Sequence, residues 1–209
     1  MPLYFTMRTD NPQPRLIKKA AEALLSGEII AYPTDSTYAL GCILSNRHGL
    51  ETIRQLRGLN EKHPLTLICS SIAQAAHYCT IDDQAFKILK QFTPGPYTFI
   101  LPATKLVPRL AQGIKRKVTG VRIPNHAVAL ALIAELGGPL LSTTLWLKGE
   151  EEPITDPEQI IKHTKGCVGL ILDGGIGSDK PTSVVDIADQ KPVVVRKGLG
   201  DVTWFESNA

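Results

Sequence analysis

The apolar run Ile29-Ile30-Ala31-Tyr32 is stopped by Pro33 and opens at once into Thr34-Asp35-Ser36-Thr37-Tyr38. The run reads as a buried strand, and a proline ends it because it has no N–H for the next rung of a sheet ladder. Small hydroxyls around one carboxylate at the end of a buried strand are what α/β proteins place at a binding crevice. Further β-rich runs follow at Leu65–Cys69, Tyr97–Leu101, Val118–Ile123, Leu140–Leu145, Val168–Leu172, Ser183–Ile187 and Val193–Arg196. Between them lie segments of helical period, each with a start or stop signal. Asn11-Pro12 opens the first and Gly27 closes it. Ser45 or Asn46 opens the second, and Asp82 opens a helix with Ala85, Phe86 and Leu89 on one face. Asn125 opens a helix that ends at Gly137, and Asp156-Pro157-Glu158 opens one that ends at Gly166.

This alternation predicts an α/β fold, and its irregular, partly short connections predict a twisted mixed sheet flanked by helices. No repeat, linker or low-complexity tract interrupts residues 1–209, so one domain is expected. A chain of this length buries roughly 70% of its unfolded surface.

Composition narrows the function classes. No apolar run approaches the roughly 20 residues that span a bilayer, so no membrane partner is expected. Residues 1–10 lack a basic region followed by an apolar core, so no signal peptide is expected either. Cys42, Cys69, Cys79 and Cys167 are widely spaced with no Cys-x-x-Cys pair, which favours reduced thiols in the cytoplasm. The five histidines show no metal-ligand spacing, so no protein-built metal site is expected. Net charge is only +3 but unevenly spread. No Asp or Glu occurs from Gln84 to Ala134, where Lys87, Lys90, Lys105, Arg109, Lys115, Arg116, Lys117 and Arg122 all fall. Such a block, with Lys115, Arg116 and Lys117 adjacent, suits a polyanion, from a nucleotide's phosphates to an RNA backbone.

Chemistry-bearing residues gather at the ends of the expected strands. Arg54 and Arg57 share a helix face and, with Lys62 and His63, flank a basic loop that can clamp phosphate. Thr98 follows the rigid Pro94-Gly95-Pro96 turn. Arg122, inside Val121-Arg122-Ile123, needs an anionic partner: Asp35, Asp186 or a ligand's carboxylate or phosphate. Ser142-Thr143-Thr144 and Thr182-Ser183 repeat the hydroxyl-at-strand-end device, and Arg196-Lys197 ends the last strand in cations. No Gly-x-Ser-x-Gly elbow or placed nucleophile pair is present, so catalysis would rest on positioning and phosphate neutralisation.

Taken in order, Tyr-Pro-Thr-Asp-Ser-Thr-Tyr-Ala-Leu-Gly (32–41), Pro-Gly-Pro-Tyr-Thr (94–98), Val-Arg-Ile-Pro (121–124), Ser-Thr-Thr (142–144), Thr-Ser-Val-Val-Asp (182–186) and Val-Arg-Lys-Gly (195–198) resemble the YrdC/YciO family. The resemblance implies a YrdC-like twisted mixed sheet with a basic concave cavity. It implies ATP as a substrate, accompanied by Mg²⁺, and L-threonine and bicarbonate as co-substrates. Synthases of this family make threonylcarbamoyl-AMP and pyrophosphate for tRNA modification. By resemblance Thr34 contacts threonine, Arg57 faces the phosphates, Ser142 and Ser183 line the cavity, and Arg196 holds the nucleotide. Asp35, Ser36, Arg54, Lys62, His63, Thr98, Arg122 and Thr144 are expected to support them.

Two departures resemble the YciO branch. Synthases carry Lys-x-Arg where this chain has Gln55-Leu56-Arg57, and Ser-x-Asn where it has Ser142-Thr143-Thr144. One missing phosphate-directed cation costs about 1.5–3 kcal/mol of binding. Two alternatives follow: a double-stranded RNA or tRNA binder without synthase activity, and an adenylate hydrolase or carbamoyl-transfer relative.

Overall fold

The computed structural model describes residues 2–60, 63–113, 116–164, 166–189 and 191–208. Among the described residues ten strands form a single sheet: β1 (Leu3–Thr6), β2 (Ile30–Tyr32), β3 (Ala39–Ile43), β4 (Thr66–Ile68), β5 (Tyr97–Pro102), β6 (Val118–Arg122), β7 (Leu140–Thr144), β8 (Leu170–Asp173), β9 (Ser183–Asp186) and β10 (Val193–Arg196). Their spatial order is β1-β8-β2-β3-β7-β4-β6-β5-β9-β10. The pairs β1/β8, β2/β8, β4/β6 and β5/β9 are parallel. The other five pairs are antiparallel, so the sheet is mixed, as the irregular connections require.

Among the described residues seven α-helices flank the sheet: α1 (Pro14–Leu25), α2 (Arg47–Arg57), α3 (Ile72–Tyr78), α4 (Asp83–Phe92), α5 (Ala127–Leu136), α6 (Pro157–His163) and α7 (Thr203–Ser207). The capping chemistry is local. Asn46 accepts from the Gly49 N–H, Asp82 from Ala85 and Asp156 from Glu158. Gly58 and Gly137 end α2 and α5 at φ near +60°, where a side chain is strained.

Three boundaries differ from expectation. Helix α1 begins at Pro14 rather than at Pro12, because a residue preceding proline is excluded from the helical region and Gln13 accordingly sits extended at ψ 117°. The cap of α5 is His126, not Asn125. In α4, Ile88 rather than Phe86 joins Ala85 and Leu89 in the core, and Phe86 is exposed. Strands β1 and β3 and helices α3 and α7 were not legible from pattern. With β3 in place, residues 33–38 join two antiparallel neighbours.

The two faces of the sheet are covered differently. On one, Leu67, Phe99, Leu101, Val121, Leu141 and Val185 are buried in a continuous core with Leu50 and Ile53 of α2 and Leu89 of α4. On the other, α1 packs on α5, and Ile17, Leu24, Val128 and Leu132 bury Ile30, Tyr32, Leu140, Leu170 and Leu172. These two helices cover only part of that face. The remainder, over β7, β4, β6, β5 and β9, is a cavity.

Candidate functional site

Side chains two residues apart on a strand share a face. Thr66/Ile68, Thr98/Ile100, Gly120/Arg122 and Ser142/Thr144 therefore all point from their strands into the cavity, which they line. One rung of the sheet sets Ser142 opposite Thr66, Thr66 opposite Gly120 and Gly120 opposite Ile100. A Cβ on Gly120 would stand 2.8 Å from Thr66 Oγ1 and 3.1 Å from Thr98 Cγ2, so glycine keeps the floor open. Thr37, His63, Pro64, Thr143, Thr182, Val184 and Val195 contribute to the walls. The volume is about 420 Å³, within the range of small-ligand sites.

Arg57, Arg122 and Arg196 also line this cavity, and among the described lining residues there is no Asp or Glu. Arg57, the last residue of α2, donates from Nε to Thr143 Oγ1 at 3.3 Å and from Nη1 to the Trp146 carbonyl. Arg196 donates from Nε and Nη2 to the Thr182 carbonyl at 3.1 and 2.8 Å, and from Nη2 to Thr182 Oγ1 at 3.2 Å. Thr182 Oγ1 in turn lies 3.0 Å from Thr98 Oγ1. Burial, and then the charge of Arg196, bring the pKa of Arg57 down to about 10. Burial and Arg122 lower that of Arg196, and burial with Arg57, Arg54 and Arg196 lowers that of His63. Guanidiniums whose charged form is disfavoured by burial and by each other are arranged to be neutralised by an anion. Arg122 is the exception, since its Nη2 donates to Asp35 Oδ1 at 2.6 Å. Asp35 is thus the partner that the apolar setting of Arg122 demanded, and Asp186 is not.

The sequence expectation of one converging site holds in part. Arg57, Ser142 and Arg196 share the cavity, as do His63, Thr98, Arg122 and Thr144. Ser142 is almost fully buried; its hydroxyl donates to the Leu40 carbonyl and lies 2.8 Å from the Tyr32 hydroxyl. Thr34, Asp35 and Ser36 line a separate chamber of about 230 Å³, with Tyr38, His126 and residues 174–178. The Thr34 hydroxyl is already engaged: it donates to the Thr37 carbonyl and accepts from the Ser36 N–H and Arg122 Nη2.

Ser183 does not line the cavity. Its buried hydroxyl donates to the Gly200 carbonyl at 2.5 Å and accepts from the Gly198 N–H, pinning the turn after β10. Arg54 is also structural: it donates to the carbonyls of Asn60, His63 and Leu110 and so ties the loop after α2 to the protein. Gln55 is exposed, two residues from Arg57 and therefore across the helix from it, and it is not among the residues that line this cavity.

The expected polyanion stripe is weaker than its composition. Arg116 is paired with Asp186 at 2.7 Å and Asp189 at 2.8 Å, acids from beyond the acid-free block. Lys117 is exposed, while Lys115 and Lys62 lie outside the described residues. Sequence reasoning missed Thr66 and Gly120. Their signal was a polar or small residue at alternate strand positions, with Leu67 and Val121 turned to the core between them and the next inward residue.

A family model for Sua5, YciO and YrdC proteins, described as "Telomere recombination", matches residues 22–198. The uncharacterized protein YciO of Escherichia coli is 45% identical over 98% of this chain and 100% of its own, and its crystal structure superposes with a TM-score of 0.94. A threonylcarbamoyl-AMP synthase of Bacillus subtilis is 32% identical over 92% of this chain, which spans 55% of that enzyme. The crystal structure of P. abyssi Sua5 complexed with L-threonine is similar with a TM-score of 0.88 at 26% identity, covering 98% of this chain and 60% of that one. Sheet, cavity and sequence together show that the chain belongs to the Sua5/YciO/YrdC family.

Proposed function

We propose that the large cavity binds the phosphates of ATP or of an adenylate, and that the protein acts on, or makes, a threonylcarbamoyl-AMP-like mixed anhydride. One observation carries the reading: Arg57 and Arg196 enter a cavity that no described carboxylate lines, and both donate only to neutral carbonyl and hydroxyl oxygens. A bound phosphate would supply the missing counter-charge, Arg57 offering its remaining Nη protons and Arg196 its Nη1 group to phosphate oxygens. Thr66, Thr98 and Thr144 supply hydroxyls around them, suited to orienting a small polar co-substrate such as L-threonine, while Ser142 and Thr182 are engaged within the wall.

In synthase chemistry the nitrogen of L-threonine bonds to the carbon of bicarbonate with loss of water, an oxygen of the resulting carbamate attacks the α-phosphorus of ATP, the bond to the β-phosphate oxygen breaks, and pyrophosphate leaves. The arginines would hold and neutralise the triphosphate, with Mg²⁺ carried by the nucleotide. The relatives that are named threonylcarbamoyl-AMP synthases support this reading. Free thiols at all four cysteines, three of them buried, support a reducing cytoplasmic setting.

The test is ATP-dependent pyrophosphate release with and without L-threonine and bicarbonate. Release that requires both establishes synthase activity; saturable ATP binding without release leaves a nucleotide-binding protein; absence of ATP binding contradicts the reading.

A further inference from the structure

Among the described residues, three buried side-chain atoms have no hydrogen-bond partner: Asp35 Oδ2, Arg122 Nε and His126 Nδ1. All three belong to one junction, since His126 lies within the fields of both Asp35 and Arg122. The Asp35 and Arg122 side chains are 12% and 7% exposed. Arg122 lines the large cavity, Asp35 and His126 line the small chamber, and Thr37 lines both. The ion pair is therefore the partition between the two spaces. It carries a cation toward the large cavity and cancels it from behind, while among the described residues the two other guanidiniums there have no carboxylate partner.

We propose that Asp35 is a specificity-determining residue that sets the charge of the nucleotide cavity. By neutralising Arg122 it leaves a bound anion facing two uncompensated guanidiniums instead of three. The deduction rests on the nucleotide reading above. Two positive charges favour a bound polyphosphate without holding it so strongly that pyrophosphate or the spent nucleotide is retained. Opposed charges in a poorly solvated wall act at an effective dielectric far below that of water, so removing one changes affinity from several ångströms away.

The experiment measures ATP and AMP binding by calorimetry, at low and high salt, for the wild type, Asp35→Asn, Arg122→Gln and the double variant. Asparagine keeps an oxygen that accepts from Arg122 Nη2 while removing the negative charge. The expected result for Asp35→Asn is ATP binding tighter by roughly tenfold, the order of one added charge at an effective dielectric of about 20, with a smaller gain for AMP. Its salt dependence should also be steeper. Arg122→Gln leaves an unpaired carboxylate at the wall and should weaken ATP. The double variant, with an uncharged junction, should recover most of the wild-type affinity.

An Asp35→Asn protein that binds ATP no more tightly, or a double variant as weak as Arg122→Gln, overturns the proposal and makes Arg122 a direct ligand contact. Should Asp35→Asn fail to fold, the comparison of Arg122→Gln with the double variant decides alone, recovery supporting the proposal and none overturning it. A wild type that binds no ATP overturns the nucleotide reading itself, and this inference with it.

Discussion

Arg57 and Arg196 bring two guanidiniums to one cavity, one from the end of a helix and one from the edge strand, and the charge of Arg196 helps to hold the pKa of Arg57 down to about 10. Among the described residues neither has a carboxylate partner. Both are held in place by neutral acceptors, so their geometry is set before any anion arrives, and the ordering entropy is already spent in folding.

Ser183 separates a structural from a binding role. Its hydroxyl makes two buried hydrogen bonds to residues 198 and 200 and is absent from the cavity lining. Ser183→Ala should lower stability by about 1–3 kcal/mol, because a carbonyl and an N–H lose their partner. ATP affinity should stay within about twofold of wild type when measured well below the melting temperature, a smaller change than the loss of a single hydrogen bond at the ligand. A large loss of affinity in a stable variant would return Ser183 to the site.

Gln55→Lys addresses the departure from the synthase pattern. The position is exposed on α2, on the side away from Arg57. An exposed charge there is screened, so the variant should change ATP affinity and pyrophosphate release by less than about twofold. A marked gain in turnover would mean that residue 55 reaches the phosphates.

Acid stability follows from two histidines. Burial lowers the pKa of the half-buried His126 below the ordinary 6.5, and desolvation with the charges of Arg57, Arg54 and Arg196 lowers that of the more exposed His63. Below about pH 6.5 the unfolded chain takes up protons that the folded chain refuses, so stability falls with pH in that window. The melting temperature should drop between pH 7.5 and pH 5.5, and the drop should be smaller in His126→Gln. Equal drops in the two proteins would exclude His126 as a source.

The inward-facing half of the site was written in the sequence with period two. Thr66, Thr98, Gly120 and Ser142 alternate with Leu67, Phe99, Val121 and Leu141, and the aliphatic and aromatic set is buried in the main core. Arg122 announced a buried partner because a guanidinium among apolar residues needs one, and Asp35 fills that place. What could not be read was the extent of the helical cover: α1 and α5 leave part of the sheet face open only through long-range packing. Nor could spacing tell Thr34 and Ser183 from Thr98 and Thr182. All four are hydroxyls at strand ends; Thr34 is engaged by its own turn, through the Thr37 carbonyl and the Ser36 N–H, while the Gly200 carbonyl and Gly198 N–H that engage Ser183 are brought to it by the tertiary fold. The acids that pair with Arg116 lie far along the chain, which is why a local count of charge did not show them.

Calorimetric titration of ATP into the wild type and into the Arg57→Gln/Arg196→Gln double variant tests the account's central claim most directly. Each charge-assisted hydrogen bond to phosphate is worth about 1.5–3 kcal/mol, so the double variant should bind at least a hundredfold more weakly while keeping its fold. Unchanged ATP affinity in a folded double variant would contradict the claim.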